Sequence, residues 1–436
     1  MPVITSSTGS AHSMHREKFV ALDWLRFALA IYLVLFHTLK EYGDIRVVEW
    51  LYSSLSLGFY STSTFFVLSG FLLAHVYIGR DQGRGLDYKR FWIKRFASLY
   101  PIHIMSLIIV LPLVIINAGG LAQITVTPNT NDWAAGDGMA SHMLGISGFV
   151  SNLLLHVSLL HAWSPFYTTF NFATWSLSAL LFFYLVFPFA GPALARIRRP
   201  LLALVVIGLI YAIPALYMFM TNTNDNVVAH GLMHRNPLFR LPEFLAGVVL
   251  HQVYLRHKLL MAALFSPRGT MACIAFILGC FAFSAWIHAE VRGSWYYMLH
   301  NGLLLPSQLL LVLMCAWYQP DSNTSQARLA ARLGVASLSI FALHTPINMI
   351  SSKIEKLILG TIEMFTTQAP VSMSSLLNLA GEQTRELWMY PFFLAGVVVV
   401  CVLFQEQLVN RMRNAIQDRL LSRQKRASAN MYHGHA

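Results

Sequence analysis

Apolar residues run along this chain in long, nearly unbroken stretches separated by short polar joints. The stretches lie at about 19–39, 55–78, 96–116, 172–192, 200–220, 238–255, 270–289, 297–317, 333–352 and 388–408. Each is near the roughly 20 residues that a helix needs to cross the hydrocarbon of a bilayer. One more run, 143–161, is interrupted by Ser147, Ser151, Asn152, His156 and Ser158. Basic residues arbitrate its status, because cytoplasmic loops collect Lys and Arg. Three clusters stand out: Arg80, Arg84, Lys89, Arg90, Lys94 and Arg95; Arg196, Arg198 and Arg199; and Arg411, Arg413, Arg419, Arg423, Lys425 and Arg426. Ten crossings put all three on one side, whereas an eleventh through 143–161 splits them. The pattern therefore predicts an all-α, polytopic membrane helix bundle of about ten transmembrane helices, with both termini cytoplasmic. Segment 143–161 is expected to be interfacial or re-entrant. The expected domains are a cytoplasmic N-terminal tail (1–18), one transmembrane domain (19–408) and a basic cytoplasmic tail (409–436) without packed structure. Segments 117–142, with Asp132 and Asp137, and 353–387 are read as outer loops.

Composition agrees with the pattern. The 436-residue chain is 56% hydrophobic and 11% charged, where soluble domains carry about 25% charged residues. The net charge of +12 is explained by the position of the basic loops, so membrane lipids and not nucleic acid are the expected surroundings. Cys273, Cys280, Cys315 and Cys401 all lie inside apolar runs and read as small buried hydrophobes. The first apolar run contains charges and lacks a small-residue cleavage site, so it reads as a retained helix. No residues stand at metal-ligand spacing, and no G-x-S-x-G nucleophile elbow appears.

What such helices normally avoid marks the chemistry. Helix 1, LDWLRFALAIYLVLFHTL, carries Asp23, Arg26 and His37. Eleven residues bring Arg26 and His37 to one helix face about 16 Å apart along the axis. Ionisable groups inside a membrane are costly and point to function. The topology sets His37, Trp175, Ser178, Arg240, Glu243 and His344 in the outer half of the bilayer, and Arg26, Lys94 and Arg95 in the inner half. A basic inner mouth suits a phosphorylated donor. A histidine in a partly apolar outer pocket suits a general base towards a hydroxyl. Glu243, three residues from Arg240, can pair with it or orient the histidine, and Arg or Trp N–H groups can stabilise an oxyanion. Taken singly, each residue also has a structural reading as an ion pair, a packing histidine or an aromatic anchor; their joint placement favours function.

Several segments together resemble the acyltransferase-3 family of bacterial integral-membrane acyltransferases, over about residues 18–410. They are LDWLRFALAIYLVLFH, with Arg and His separated by ten residues; STFFVLSGFLLA (63–74); KRFASLYPIH (94–103); TWSLSALLFFYLVFP (174–188); FRLPEFLAG; and LGVASLSIFALHTPI. The resemblance implies transfer of an acyl group, commonly acetyl, from cytoplasmic acyl-CoA (acetyl-CoA foremost) to a hydroxyl of a carbohydrate acceptor at the outer face of the bacterial inner membrane. Lipopolysaccharide, capsule and exopolysaccharide are the usual acceptors. It implies Arg26 and His37 as the essential pair, and Glu243 and His344 are taken as their catalytic companions. Trp175, Ser178, Arg240 and Ser69 are taken as substrate-binding, and Lys94, Arg95 and Arg90 as binding the CoA; no metal is expected. Two positions depart from the family pattern: Ser98 stands for the second Arg of its R-x-x-R motif, and Leu180 for the Glu of WSLS-x-E. Two other readings stay open on the residues alone. One is a transporter of glycans or lipid-linked sugars, which also needs polar groups at two depths. The other is a catalytically degenerate family member with a binding or regulatory role, which Leu180 and Ser98 would fit.

Overall fold

Seventeen helices build the computed structural model, which describes all residues except 1–17, 44–48, 79–85, 127–141, 167–168, 224–226, 292, 319, 369 and 434–436. Arg80, Arg84, Asp132, Asp137 and nearly all of the expected N-terminal tail lie outside the described residues. In chain order the helices are α1 (Val20–Thr38), α2 (Glu49–Leu55), α3 (Gly58–Tyr77), α4 (Tyr88–Ala118), α5 (Gly145–Val157), α6 (Trp175–Ala195), α7 (Pro200–Met220), α8 (Val227–Arg235) and α9 (Pro237–Arg256). They continue with α10 (Lys258–Leu264), α11 (Pro267–Trp286), α12 (Trp295–His300), α13 (Leu305–Trp317), α14 (Ser325–Thr366), α15 (Met373–Glu382), α16 (Tyr390–Phe404) and α17 (Asn410–His433). A two-residue antiparallel pair, Thr125–Val126 with His142–Met143, is the only sheet among the described residues. Helix starts are capped as their sequences dictate: the Asp87, Asn236, Ser266 and Thr324 side chains accept from the first turns of α4, α9, α11 and α14.

Among the described residues, nine helices are long and apolar enough to cross a membrane, and the chain is an integral, polytopic helix bundle. The expected tenth, 238–255, is present as α9. Its 20 residues extend about 30 Å. It is less apolar than a lipid-facing span because it holds Arg240, Glu243, His251 and Gln252, all buried. A helix wrapped by protein does not need to match lipid. Helices α7 and α11 are the converse, with few buried residues and long apolar faces. The α-helix within 143–161 is the 13-residue α5, about 20 Å long, which is too short to cross.

Two close contacts organise the bundle. α3 and α9 meet backbone to backbone: a Cβ on Gly70 would lie 2.0 Å from the Phe244 carbonyl oxygen, and one on Gly247 would lie 1.9 Å from that of Val67. Glycine in the SGF and EFLAG segments therefore sets the separation of these helices, as small residues do in membrane interfaces. α1 and α14 run side by side in the same direction, with Asp23 against Gly334 at one end and His37 against His344 towards the other.

Two expectations are corrected. Residues 353–366 are not loop: α14 runs unbroken through Pro346 to Thr366, 42 residues in all. Lys353, Glu355 and Lys356 end the apolar run without ending the helix. Glu355 accepts from the buried Arg385 guanidinium at 2.7 Å, and Arg385 also reaches Glu41 at 3.2 Å and Asn348 at 2.7 Å. The basic tail, read as unpacked, begins as α17, which lies against α4.

Candidate active site

Two cavities lie at opposite ends of α1. The first, of about 270 Å³, is lined by His37, Trp175, His234, Arg240, Tyr296 and His300 among others. The C-terminal end of α1 and the N-terminal ends of α3, α6 and α9 meet there. The second, of about 540 Å³, is lined by Arg26, Arg95, Ser69, Tyr184, Lys18 and Arg328 among others. It gathers the N-terminal ends of α1, α4 and α14. The two-ended arrangement expected from the depths of the polar residues is thus present as two separate chambers.

In the first chamber the proton positions follow from the bonding. The Ile340 carbonyl oxygen, 3.1 Å from His344 Nδ1, can only accept, so His344 Nδ1 carries hydrogen. A neutral His344 then offers a lone pair at Nε2, which lies 2.8 Å from His37 Nδ1. His37 therefore donates from Nδ1 and keeps the lone pair of its Nε2. Phe36 and Phe172 pack against the ring at 4.7 and 4.8 Å. The arrangement is a histidine base oriented by a second histidine.

Glu243 does not take the orienting role expected of it. Its carboxylate accepts from the Tyr211 hydroxyl at 2.6 Å and lies 3.0 Å from Arg240 Nη2, with both charged side chains fully buried. The partner of His37 is His344 instead. Arg240 spends its guanidinium on the His300 carbonyl at 2.7 Å, Ser63 Oγ at 2.6 Å and Glu243. Trp175 lies at the start of α6, in contact with the rings of Phe66 and His234 at 5.9 and 5.2 Å. Ser178 lines neither chamber: its hydroxyl donates to the Leu159 carbonyl at 2.5 Å and accepts from Ala162 N–H, which ties off the turn after α5.

In the second chamber Arg26 lies 3.8 Å from Asp23. Arg95 donates to the Tyr77 hydroxyl at 2.9 Å and stacks over that ring. Ser69, taken as substrate-binding, lies here with Arg26 and Arg95, donating to the Phe65 carbonyl at 2.7 Å. Lys94 and the exposed Arg90 line neither chamber. Leu180 forms part of the chamber wall, buried among α6 neighbours. Ser98 turns back to the Lys94 carbonyl at 2.9 Å.

Residues 19–406 match the family model described as an acyltransferase domain. The chain belongs to the acyltransferase-3 family. It is a membrane O-acyltransferase by that membership and by its relatives. It is 25% identical to the acyltransferase MdmB of Streptomyces mycarofaciens over 372 residues, 74% of this chain and 89% of the relative. It is 26% identical to the peptidoglycan O-acetyltransferase OatA of Listeria monocytogenes over 310 residues, 66% of this chain and 45% of the relative. No solved structure matches the chain.

His234, His300 and Tyr296 line the His37 chamber although none was singled out. His230 and His234 stand at i, i+4 in AHGLMHR, a spacing that puts both on one helix face. That segment falls between two spans, where no rule of membrane cost draws the eye. Tyr184 and Arg328 line the other chamber.

Proposed function

We propose that this acyltransferase moves an acyl group, acetyl foremost, from acyl-CoA to a hydroxyl of a glycan, with the donor cytoplasmic and the acceptor on the outer side of the bacterial inner membrane. The observation that carries the reading is the chain from the Ile340 carbonyl through His344 to His37, which leaves a lone pair on the Nε2 of a residue that lines the chamber. His37 Nε2 takes the proton of the acceptor hydroxyl as its oxygen bonds to the thioester carbonyl carbon. The tetrahedral oxyanion collapses, the C–S bond breaks, and the CoA thiolate recovers the proton from His37. The products are an ester and free CoA.

Arg26, Arg95, Lys18 and Arg328 around the second chamber support a phosphorylated donor there, since guanidinium and ammonium groups hold phosphate. On this reading both termini are cytoplasmic, and residues 19–408 form one catalytic domain. Similarity to OatA, a peptidoglycan O-acetyltransferase, supports a glycan acceptor and an acetyl group. The test is transfer of radiolabelled acetyl from acetyl-CoA to glycan fragments by the protein in nanodiscs. His37→Ala is expected to lower turnover about 10²–10⁴-fold; an unchanged rate removes His37 as the base. Mass spectrometry of surface glycans with and without the gene identifies the acceptor.

A further inference from the structure

Besides His37, the chamber is lined by His234, His288 and His300, and neither the proton transfer above nor the family motifs supply a role for His234. His234, near the end of α8, lines the chamber beside Trp175 and 5.6 Å, ring to ring, from His300. Its Nδ1 lies 2.8 Å from the Tyr296 hydroxyl. A phenol is a better donor than a neutral imidazole N–H, so Tyr296 donates and His234 accepts at Nδ1. The hydrogen of neutral His234 is then on Nε2. Tyr296 is itself held in place: its backbone carbonyl accepts from His300 Nδ1 at 2.8 Å, and its ring stacks on His230 at 4.2 Å. His37 and His234 thus both line one chamber, with a lone pair on Nε2 of the first and an N–H on Nε2 of the second.

We propose that His234 is a further catalytic residue, donating its Nε2–H to the thioester carbonyl oxygen as that oxygen becomes the oxyanion. The proposal rests on the acyl-transfer reading above. His234 keeps its proton throughout: the hydroxyl proton travels to His37 and from there to the CoA thiolate, while the oxyanion lone pairs are held by the His234 hydrogen bond until the carbonyl reforms. Of the other charged donors lining the chamber, Lys40 is exposed just past the end of α1, and Arg240 has both terminal nitrogens committed to His300, Asn301, Ser63 and Glu243, with its buried Nε–H left over. The groups facing His234 are His230, Arg235, Arg240, His300 and Tyr296. Burial first, then His230, Arg240 and Arg235, hold its imidazole well below the ordinary range, which keeps it neutral.

The test compares kcat and KM for acetyl transfer in wild type, His234→Ala, His234→Gln, Tyr296→Phe and Trp175→Phe. Removing one oxyanion donor typically costs about 10²–10³-fold in kcat, and that loss is expected for His234→Ala with the acetyl-CoA KM unchanged. His234→Gln, which retains an N–H donor of similar reach, is expected to recover at least ten-fold over His234→Ala. Tyr296→Phe is expected to fall between wild type and His234→Ala, because the donor remains but its tautomer is no longer held. Wild-type kcat in His234→Ala overturns the proposal. So does a His234→Gln protein that elutes as wild type in size exclusion and is no better than His234→Ala. A larger kcat loss in Trp175→Phe than in His234→Ala overturns it too, by assigning the oxyanion to the indole. If His234→Ala does not fold, the His234→Gln and Tyr296→Phe rates decide alone, and wild-type rates in both overturn it. Failure of the acyl-transfer reading is seen separately, as wild-type protein that transfers nothing from acetyl-CoA.

Discussion

A histidine is a base only at the nitrogen that lacks a proton, and in this protein a backbone carbonyl decides which nitrogen that is. Ile340 fixes His344, and His344 fixes His37. His344 is therefore expected to act through tautomer and orientation, as the buried aspartate does in serine-protease triads. His344→Phe, which can accept nothing from His37, is expected to lower kcat by about 10²-fold or more without changing the acetyl-CoA KM, because the proposed donor chamber is at the other end of α1. His344→Asn, whose Oδ1 accepts, is expected to recover part of that loss. Steady-state kinetics with acetyl-CoA and a glycan acceptor distinguish the two. Equal rates for His344→Phe and wild type would mean that His37 does not depend on its neighbour. The histidine was legible in the sequence from its cost inside a membrane; its partner was not, because Glu243 is closer to the expected type of orienting group and only packing sends it to Tyr211 and Arg240.

At the level of the element, α9 combines a polar sequence with a buried position: Arg240, Glu243, His251 and Gln252 are all enclosed. Its Arg240–Glu243 pair is fully enclosed, and its Gly247 lies against the backbone of α3. A side chain at Gly247 has nowhere to go, since the obstructing atom is a carbonyl oxygen and not a flexible tip. Gly247→Val is expected to lower stability by about 1–3 kcal/mol or more, read as a drop in melting temperature in detergent. Gly279→Val, where a Cβ meets nothing within 4 Å, serves as the control and is expected to melt with wild type. Matching melts for the two variants would remove the close α3–α9 contact as a determinant of the fold. The same element explains why a hydropathy reading comes out at nine spans: burial by protein permits polarity that lipid would penalise.

For the whole molecule, the decisive feature is that the two chambers do not merge. Phe65 lines the Arg26 chamber, Phe341 lines the His37 chamber, and their ring centroids are 6.1 Å apart. On the proposed placement of the donor in the basic chamber, this ring pair stands between the thioester and His37. Phe341→Ala is expected to widen the passage and raise the rate with butyryl-CoA relative to acetyl-CoA about ten-fold, a difference of about 1.4 kcal/mol in transition-state energy. Competition between the two donors measures that ratio directly; an unchanged ratio would place the passage elsewhere.

The sequence by itself determined the class of the molecule, the positions of nearly all its long helices, the non-spanning 143–161 segment and the two-depth division of its polar groups. Each of these depends on properties local to a stretch of chain: apolar length, charge flanking a run, and the cost of ionisable groups in hydrocarbon. Tertiary structure alone decided which polar groups meet. It paired His37 with His344 across 307 positions and brought His234 and Tyr296 from either side of three intervening helices to the same wall. It moved Ser69 to the Arg26 chamber and gave Ser178 a turn to hold. It also carried α14 beyond its apolar run by pairing Glu355 with Arg385. Those outcomes depend on the rotation and separation of helices distant in sequence, which glycine contacts such as Gly70 and Gly247 set and which no single stretch of the chain encodes.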